Sequence, residues 1–385
     1  MKVVVTGASG NIGTALLRSV SREGPEPVGI ARRRPPRGQH PYDRARWVEC
    51  DIGEPAAVSL LTKVFAGADV VVHLAWAVHP HRTDPPLTRT NAGGTANVLR
   101  AVAEAGVPHV VCASSAAAYT PAARWRRVDE QWPCDGLSAS AYSRGKAELE
   151  ARLDEFEQWQ PTVRVARIRP CAVVQADAAA ELGDWLFGRW LPPAVIGRPG
   201  LPVPLWNGLR LQLVHAEDVA AAVVSIIEQR AGGAFNLAAD PVLTAADLAA
   251  VFGGFRIPVP HRVLTAGAGV SWRLGLQPLH PAWLRLADRA CLLDTGRAAR
   301  ELGWTPRYDA AAACAELAAA MRARQRGPSA PLAPDRPAFR LGRPTHQSRR
   351  PPTPAAAADG PVPGIGGSAL GAGGSPGGQG GETLE

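Results

Sequence analysis

Tyr142 and Lys146 stand four residues apart, a spacing that sets two side chains one above the other on a helix face. Only three lysines and four tyrosines occur among 385 residues, so the coincidence is uncommon by chance. A free phenol titrates at about pH 10 and is a poor acid or base at neutrality. A neighbouring ammonium favours the phenolate and brings the group towards working pH. Arginine is no substitute, because a compact ammonium on a flexible stem can sit between a phenol and a ribose. Ser114 and Ser115, closing the apolar run Val110-Val111-Cys112-Ala113, offer hydroxyls that could steady a substrate oxygen. Together these groups could move a proton at a secondary alcohol or a ketone.

Such chemistry needs a framework. Lys2 to Val5 reads as a short buried strand, too brief for a signal peptide. It runs into Thr6-Gly7-Ala8-Ser9-Gly10-Asn11-Ile12-Gly13 and then into a helical stretch beginning Thr14-Ala15-Leu16-Leu17. Strand, glycine-rich turn and helix form the context a phosphate site requires. Gly7 permits the tight turn, Gly10 lets backbone approach a pyrophosphate, and Gly13 lets helix pack close to strand. The helix N-terminus adds amide donors and a positive dipole end. Further along, strand-like runs alternate with helical stretches at Pro55 to Phe65, Asn97 to Ala105 and Tyr142 to Trp159. That alternation predicts a parallel sheet covered on both faces.

The glycine spacing, with two residues between successive glycines, resembles that of the extended short-chain dehydrogenase/reductase family, which includes nucleotide-sugar epimerases and dehydratases. Other landmarks follow in order. Asp51-Ile52 resembles the family's adenine-contacting position, and His73-Leu74-Ala75 its strand-four end beside the cofactor. Asn91-Ala92-Gly93-Gly94-Thr95-Ala96-Asn97 resembles its Asn-x-x-Gly-Thr-x-Asn helix. Val110 to Tyr119 resembles its strand five with the catalytic hydroxyl, and Tyr142 to Lys146 its Tyr-x-x-x-Lys. Arg169-Pro170 and His215-Ala216-Glu217-Asp218 resemble later landmarks. Leu292-Leu293-Asp294-Thr295, leading to Trp304-Thr305-Pro306, resembles the closing segment and reads as structural.

The resemblance implies a Rossmann-type doubly wound parallel sheet with a small interleaved substrate-binding lobe. It implies Tyr142 as general acid/base and Lys146 as the group that stabilises the phenolate and holds the nicotinamide ribose. Ser115 is implied as the hydroxyl on the substrate oxygen, since it precedes Tyr119 by four residues as the family's hydroxyl precedes its tyrosine. Cofactor contacts are implied at Gly7, Ser9, Gly10, Asn11, Ile12, Gly13, Asp51, Ile52, Leu74, Ala75, Asn91, Lys146 and Pro170.

NAD-specific members place an acid at the end of the second strand, to accept from the ribose 2′-hydroxyl. Here Pro27-Val28-Gly29-Ile30-Ala31 leads into Arg32-Arg33-Arg34. Arg32 and Arg33 stand ready for a 2′-phosphate, so NADP is expected over NAD. Dehydratases carry an Asp-Glu pair where this chain has Ala116-Ala117, so water elimination is not expected. The Tyr-Gly-Pro that follows Arg-Pro in nucleotide-sugar members is replaced by Cys171-Ala172-Val173. Arg210 sits one residue away from the arginine such members use for a diphosphate, and on a strand that shift turns a side chain to the other face. Trp185, Trp190 and Trp206, with Arg189 and Arg198, mark the lobe between 178 and 206, where lobe packing is the commoner role for tryptophan and stacking on a ligand the alternative.

The expected organisation is one catalytic unit over 1–325. Its cofactor part covers about 1–170 and 208–240, and its lobe about 171–207 and 241–320. From 326 to 385 Pro, Gly, Ala and Ser dominate, with Arg336, Arg340, Arg343, Arg349 and Arg350 adding charge, and disorder is expected. The net charge of +8 rests on scattered arginines, and no motif points to nucleic acid. Six cysteines without close pairing read as reduced residues of a cytoplasmic protein. His79-Pro80-His81 reads as a surface loop and no metal is expected. No apolar run is long enough to span a bilayer. The functions in view are an epimerase acting on a sugar-like alcohol, a net NADPH-dependent carbonyl reductase, and a non-catalytic dinucleotide sensor. Homodimerisation is implied by family habit.

Overall fold

The computed structural model describes residues 1–20, 26–78, 85–186, 196, 198 and 200–333. The first half builds five parallel strands: β1 (Val3–Thr6), β2 (Val28–Ala31), β3 (Arg46–Glu49), β4 (Val70–His73) and β5 (His109–Ala113). Between them run α1 (Asn11–Ser19), α2 (Ala57–Phe65), the short α3 (Pro85–Thr88) and α4 (Gly94–Glu104). Val70, Val71 and Val72 are at most 1% exposed, as expected of a central strand covered on both faces. Leu61 and Phe65, one turn apart on α2, are fully buried against that sheet. Each contributes about 1.5–3 kcal/mol of burial.

The second half interleaves two kinds of structure. In chain order it holds β6 (Arg127–Val128), α5 (Ala141–Trp159), β7 (Arg164–Pro170), β8 (Ala172–Val174), α6 (Ala179–Leu186) and β9 (Leu201–Leu205). Next come β10 (Arg210–His215), α7 (Ala216–Gln229), β11 (Gly233–Leu237), β12 (Ala239–Thr244), α8 (Ala245–Val251) and β13 (Gly254–Pro258). Then follow α9 (His261–Arg273), α10 (Pro281–Arg289), β14 (Leu292–Leu293), α11 (Gly296–Leu302) and α12 (Ala310–Arg322). Strands β7 and β11 extend the first sheet to seven, in the order β11-β7-β5-β4-β1-β2-β3 and all parallel. The order reverses between β1 and β4, the crevice where doubly wound sheets bind ligands at strand C-termini. The Rossmann-type expectation holds.

The remaining strands form small sheets: β12-β10-β8, the parallel ribbon β13-β9, and the pair β14-β6. Their apolar cluster joins Leu213 and Leu243 to Leu317 and Met321 of α12. Trp206 is 5% exposed there and its indole donates to Asp288 at 2.8 Å, so it packs the lobe. Trp190, Arg189, His79, His81 and the arginines beyond 333 lie outside the described residues.

One compact unit covers Met1–Arg336. Composition assigns residues 327–333 to the tail, yet they fold back onto the dinucleotide turn. Ser329 is 3% exposed and donates to the Ser9 carbonyl at 2.6 Å; Leu332 is fully buried. At Gly327 a Cβ would come within 2.4 Å of the Leu332 side chain, so only glycine passes. Local composition carried no sign of this, because the contact joins positions 320 residues apart.

Candidate active site

The turn after β1 is closed by its glycines. Gly7 has φ +71°, and a Cβ there would meet the Ala75 nitrogen at 2.6 Å. A Cβ on Gly13 would meet the Gly7 carbonyl oxygen at 2.4 Å, so α1 starts hard against the strand end. A Cβ on Gly10 would meet nothing closer than 3.3 Å, leaving that face of the turn open. The first helical bond is Thr14 N–H to the Gly10 carbonyl at 2.9 Å, and no side chain caps α1. The amides of Asn11, Ile12 and Gly13 therefore have no acceptor within the helix and point at the crevice, a fit for a pyrophosphate. The Asn11 side chain turns away, donating to the Val173 carbonyl at 3.0 Å and accepting from Gln175 at 2.7 Å.

Helix α5 carries Tyr142 and Lys146, the expected proton-transfer groups. Ser140 caps it by accepting from the Ser143 amide, so its first turn is fixed where Tyr142 sits. Ser115, just past the end of β5, accepts from the Ala117 amide at 3.1 Å. Burial raises the Tyr142 pKa, and the nearby Ser115 hydroxyl pulls against that rise. Tyr142 is thus held as the neutral phenol. Its ring packs against Trp283 of α10, with centroids 5.1 Å apart. Ser114 is buried with its hydroxyl beside the Glu150 carboxylate.

Lys146 is 2% exposed and its burial lowers its pKa to about 7. Its ammonium donates to the Ala113 carbonyl at 2.7 Å and lies over the Trp76 ring, 3.5 Å from the centroid. It stands 6.0 Å from the Tyr142 ring centroid. Burial and Ser115 set the Tyr142 shift in this arrangement, with no part from Lys146. One turn on, Glu150 opposes the lysine shift while accepting both Nε and a terminal nitrogen of Arg169 at 2.8 Å. Arg169 also donates to the Tyr119 hydroxyl at 2.9 Å, which donates to Asn236 at 2.7 Å. This fully partnered buried set fixes the strand ends around Ser115.

The remaining expected residues divide by what they touch. Asn91 accepts from the Ala77 amide at 2.7 Å and donates to its carbonyl at 3.0 Å, clamping the loop that carries Leu74 and Ala75. Asp51 is engaged by Arg89 at 2.6 Å and by the Gly53 amide at 3.0 Å. Ile52 is buried beneath Gly94. Pro170 ends β7 beside Leu237. Arg32 and Arg33 are exposed and have no acidic partner among the described residues. His73 is buried between Thr6 and Thr95, at 2.7 and 3.0 Å, and desolvation takes its pKa down to about 3, so it is neutral. No group of metal-binding residues exists among the described residues.

Sequence reasoning missed Trp76 and Trp283. Trp76 follows Ala75 directly and could have been flagged by that adjacency; its indole N–H is buried without a partner beside Lys146. Trp283 lies 141 residues beyond Tyr142 in the chain, and nothing local marks it.

The NAD dependent epimerase/dehydratase family matches over residues 3–238, from β1 through the end of β11. The chain belongs to that family. The matched stretch takes in the glycine turn, Ser115, Tyr142 and Lys146. An uncharacterised protein of Mycobacterium tuberculosis is 28% identical over 84% of this chain, which spans only 30% of that relative's length. The ceramide reductase of Caulobacter vibrioides is 29% identical over 79% of this chain and 86% of its own. A dTDP-glucose 4,6-dehydratase of Streptomyces venezuelae, solved with NAD and TYD bound, superposes with a TM-score of 0.62 at 21% identity, over 86% of this chain and all of that one.

Within this epimerase/dehydratase family member, Arg210 has another task. It is 4% exposed and donates to the Asp288 and Ala290 carbonyls at 2.9 and 3.0 Å, closing the C-terminal end of α10. The one-residue displacement read in the sequence thus corresponds to a side chain spent on structure. Ala116 and Ala117 are buried and bring no acid to the site.

Proposed function

We propose that this chain transfers hydride reversibly at a secondary alcohol or ketone of a sugar-like substrate, using Ser115, Tyr142 and Lys146. The observation that carries the reading is the Ser115 hydroxyl set beside Tyr142 near the C-terminal end of β5, with the buried Lys146 one turn away. The bound dinucleotide supplies or accepts the hydride. Tyr142, neutral at rest, gives its proton to a carbonyl oxygen that Ser115 holds in line. In the oxidising direction Tyr142 takes that proton back, and positive charge at Lys146 favours the phenolate. The same ammonium would hold the nicotinamide ribose, and the amides of Asn11, Ile12 and Gly13 the pyrophosphate. Arg32 and Arg33 favour NADP; changing both to Ala is expected to remove any preference of NADP over NAD in dissociation constants.

A second reading draws on Trp283, Trp76 and Arg210. Two indoles beside the catalytic pair and an arginine withheld from diphosphate binding suit a net reduction of a ketone on an apolar substrate. The name of the Caulobacter relative points the same way. The cofactor part and lobe are placed at 1–170 with 208–240, and at 171–207 with 241–320. Cytoplasmic residence agrees with six free cysteines, and a homodimer joined through two helices is the expected assembly.

The deciding experiment denatures the purified protein and identifies any released dinucleotide by mass spectrometry, with its redox state. Tightly carried NAD supports hydride return within one cycle and hence epimerisation. An empty protein that binds NADPH reversibly supports net reduction. A protein that binds neither, or a Tyr142→Phe variant with undiminished turnover, ends the catalytic reading.

A further inference from the structure

Eleven large apolar side chains are exposed among the described residues, and six of them fall within 22 consecutive positions: Phe255, Ile257, Val263, Val270, Leu274 and Leu276. That concentration is on β13, α9 and the turn after α9, not spread over the surface as isolated apolar residues are. On α9 the pattern is helical. At about 100° per residue, Val263, Gly267, Val270 and Leu274 fall within about 60° of arc. Val263, Val270 and Leu274 are 59%, 55% and 68% exposed. The opposite face is packed: Thr265 is buried, and Trp272 meets His280 edge-on at 4.5 Å. Charge follows the same segment. Residues 248–287 contain four arginines and neither Asp nor Glu. Arg262 is exposed at one edge of the α9 stripe and Arg285 is exposed on α10, which packs against α9.

We propose that the outer face of α9 docks on a bilayer surface bearing anionic headgroups. An apolar stripe with arginines beside it and no carboxylate fits a helix lying in the interface plane, with aliphatic side chains below the headgroups and guanidinium groups among them. A second copy of the chain fits less well. A two-fold contact sets a patch against itself, and this segment has no acid to meet Arg262 or Arg285 across such a contact. Lying on a surface differs from spanning it, and no described helix is long and apolar enough to cross a membrane. The face is also one helix from the chemistry, since α10 carries Trp283 against Tyr142. If the second reading of the substrate holds, an amphiphilic ketone would enter from the side on which the enzyme rests; the docking itself does not depend on that reading.

The test is sedimentation of the full chain with vesicles of phosphatidylcholine, with and without phosphatidylglycerol. Binding is expected only to the anionic vesicles and is expected to weaken with added salt. Val270→Ser with Leu274→Ser should weaken it by at least about tenfold. Arg262→Glu with Arg285→Glu should do the same by the charge route, and serves alone if the apolar variant fails to fold. Dinucleotide binding, measured separately, should be unchanged in both variants; its loss in the parent protein would count against the enzymatic reading and not against docking. The proposal is overturned by absent vesicle binding, or by binding that survives both double variants. It is equally overturned by self-association that Leu274→Ser abolishes, or by capture of polyglutamate as strong as that of vesicles and indifferent to the apolar changes.

Discussion

Lys146 combines a proposed catalytic position with the burial of a core residue. Its pKa, lowered by desolvation to about 7 from an ordinary 10.5, ties stability to pH. Between those two values the unfolded chain holds a proton on this lysine that the folded chain has released, so stability rises with pH across the window. Below about 7 both states are charged, and the fold bears the full cost of a buried ammonium. Urea midpoints measured across this range should climb in the parent protein, and the part due to Lys146 should vanish in Lys146→Met. Tyr142→Phe is expected to lower turnover by at least about 10²-fold, the scale of a lost general acid, with dinucleotide affinity retained. Arg169→Met should lower unfolding free energy by about 3–5 kcal/mol, because the buried Glu150 would lose its bidentate partner; chemical denaturation checks it. At this scale the sequence was most legible in the one-turn spacing of Tyr142 and Lys146, which the structure sets on α5. Trp283 was opaque because its partner is fixed by lobe docking rather than by chain neighbourhood.

Among elements, the turn from β1 into α1 was read correctly because its constraint is steric and local: Gly7 and Gly13 exclude a Cβ through contacts a few residues away or across one strand. Gly13→Ala should cost about 1–3 kcal/mol in overpacking and weaken dinucleotide binding, seen in thermal melts and in titration. Strand β10 was legible in part. The displaced Arg210 was noticed, but its destination at the end of α10 could not be read, since that helix lies 71 residues further on. Arg210→Met is expected to loosen α10 and thereby the Trp283 contact with Tyr142. Tyr142 reactivity and KM should then change more than dinucleotide affinity, which a titration alongside kinetics separates. The valine-rich β1 and β4 declared themselves as buried parallel strands through composition alone.

Across the whole molecule, alternation of strand and helix carried the doubly wound sheet, whose seven parallel strands need only a periodic pattern and right-handed crossovers. The lobe did not yield to the same reading. Its sheet β12-β10-β8 collects three strands that are far apart in the chain, and its apolar cluster is completed by α12, so no single window displays it. Composition also assigned residues 327–333 to the tail, although Pro and Gly near 330 serve a packed turn as readily as a loose one.

That turn has a consequence for how residues 327–333 behave. Ser329 hangs on the carbonyl of Ser9, and the Tyr42 hydroxyl touches both Ser329 and Thr14 of α1. A pyrophosphate bound at the start of α1 would therefore grip the same short piece of backbone that the Ser329 strap holds from the other side. Linkage is reciprocal, so a ligand that steadies the turn must steady the strap by the same free energy, and a strap pulled away must be felt as weaker binding. Proteolytic clipping within 327–333 is expected to be slow when the turn is filled and fast when it is not, a clock for occupancy of the turn.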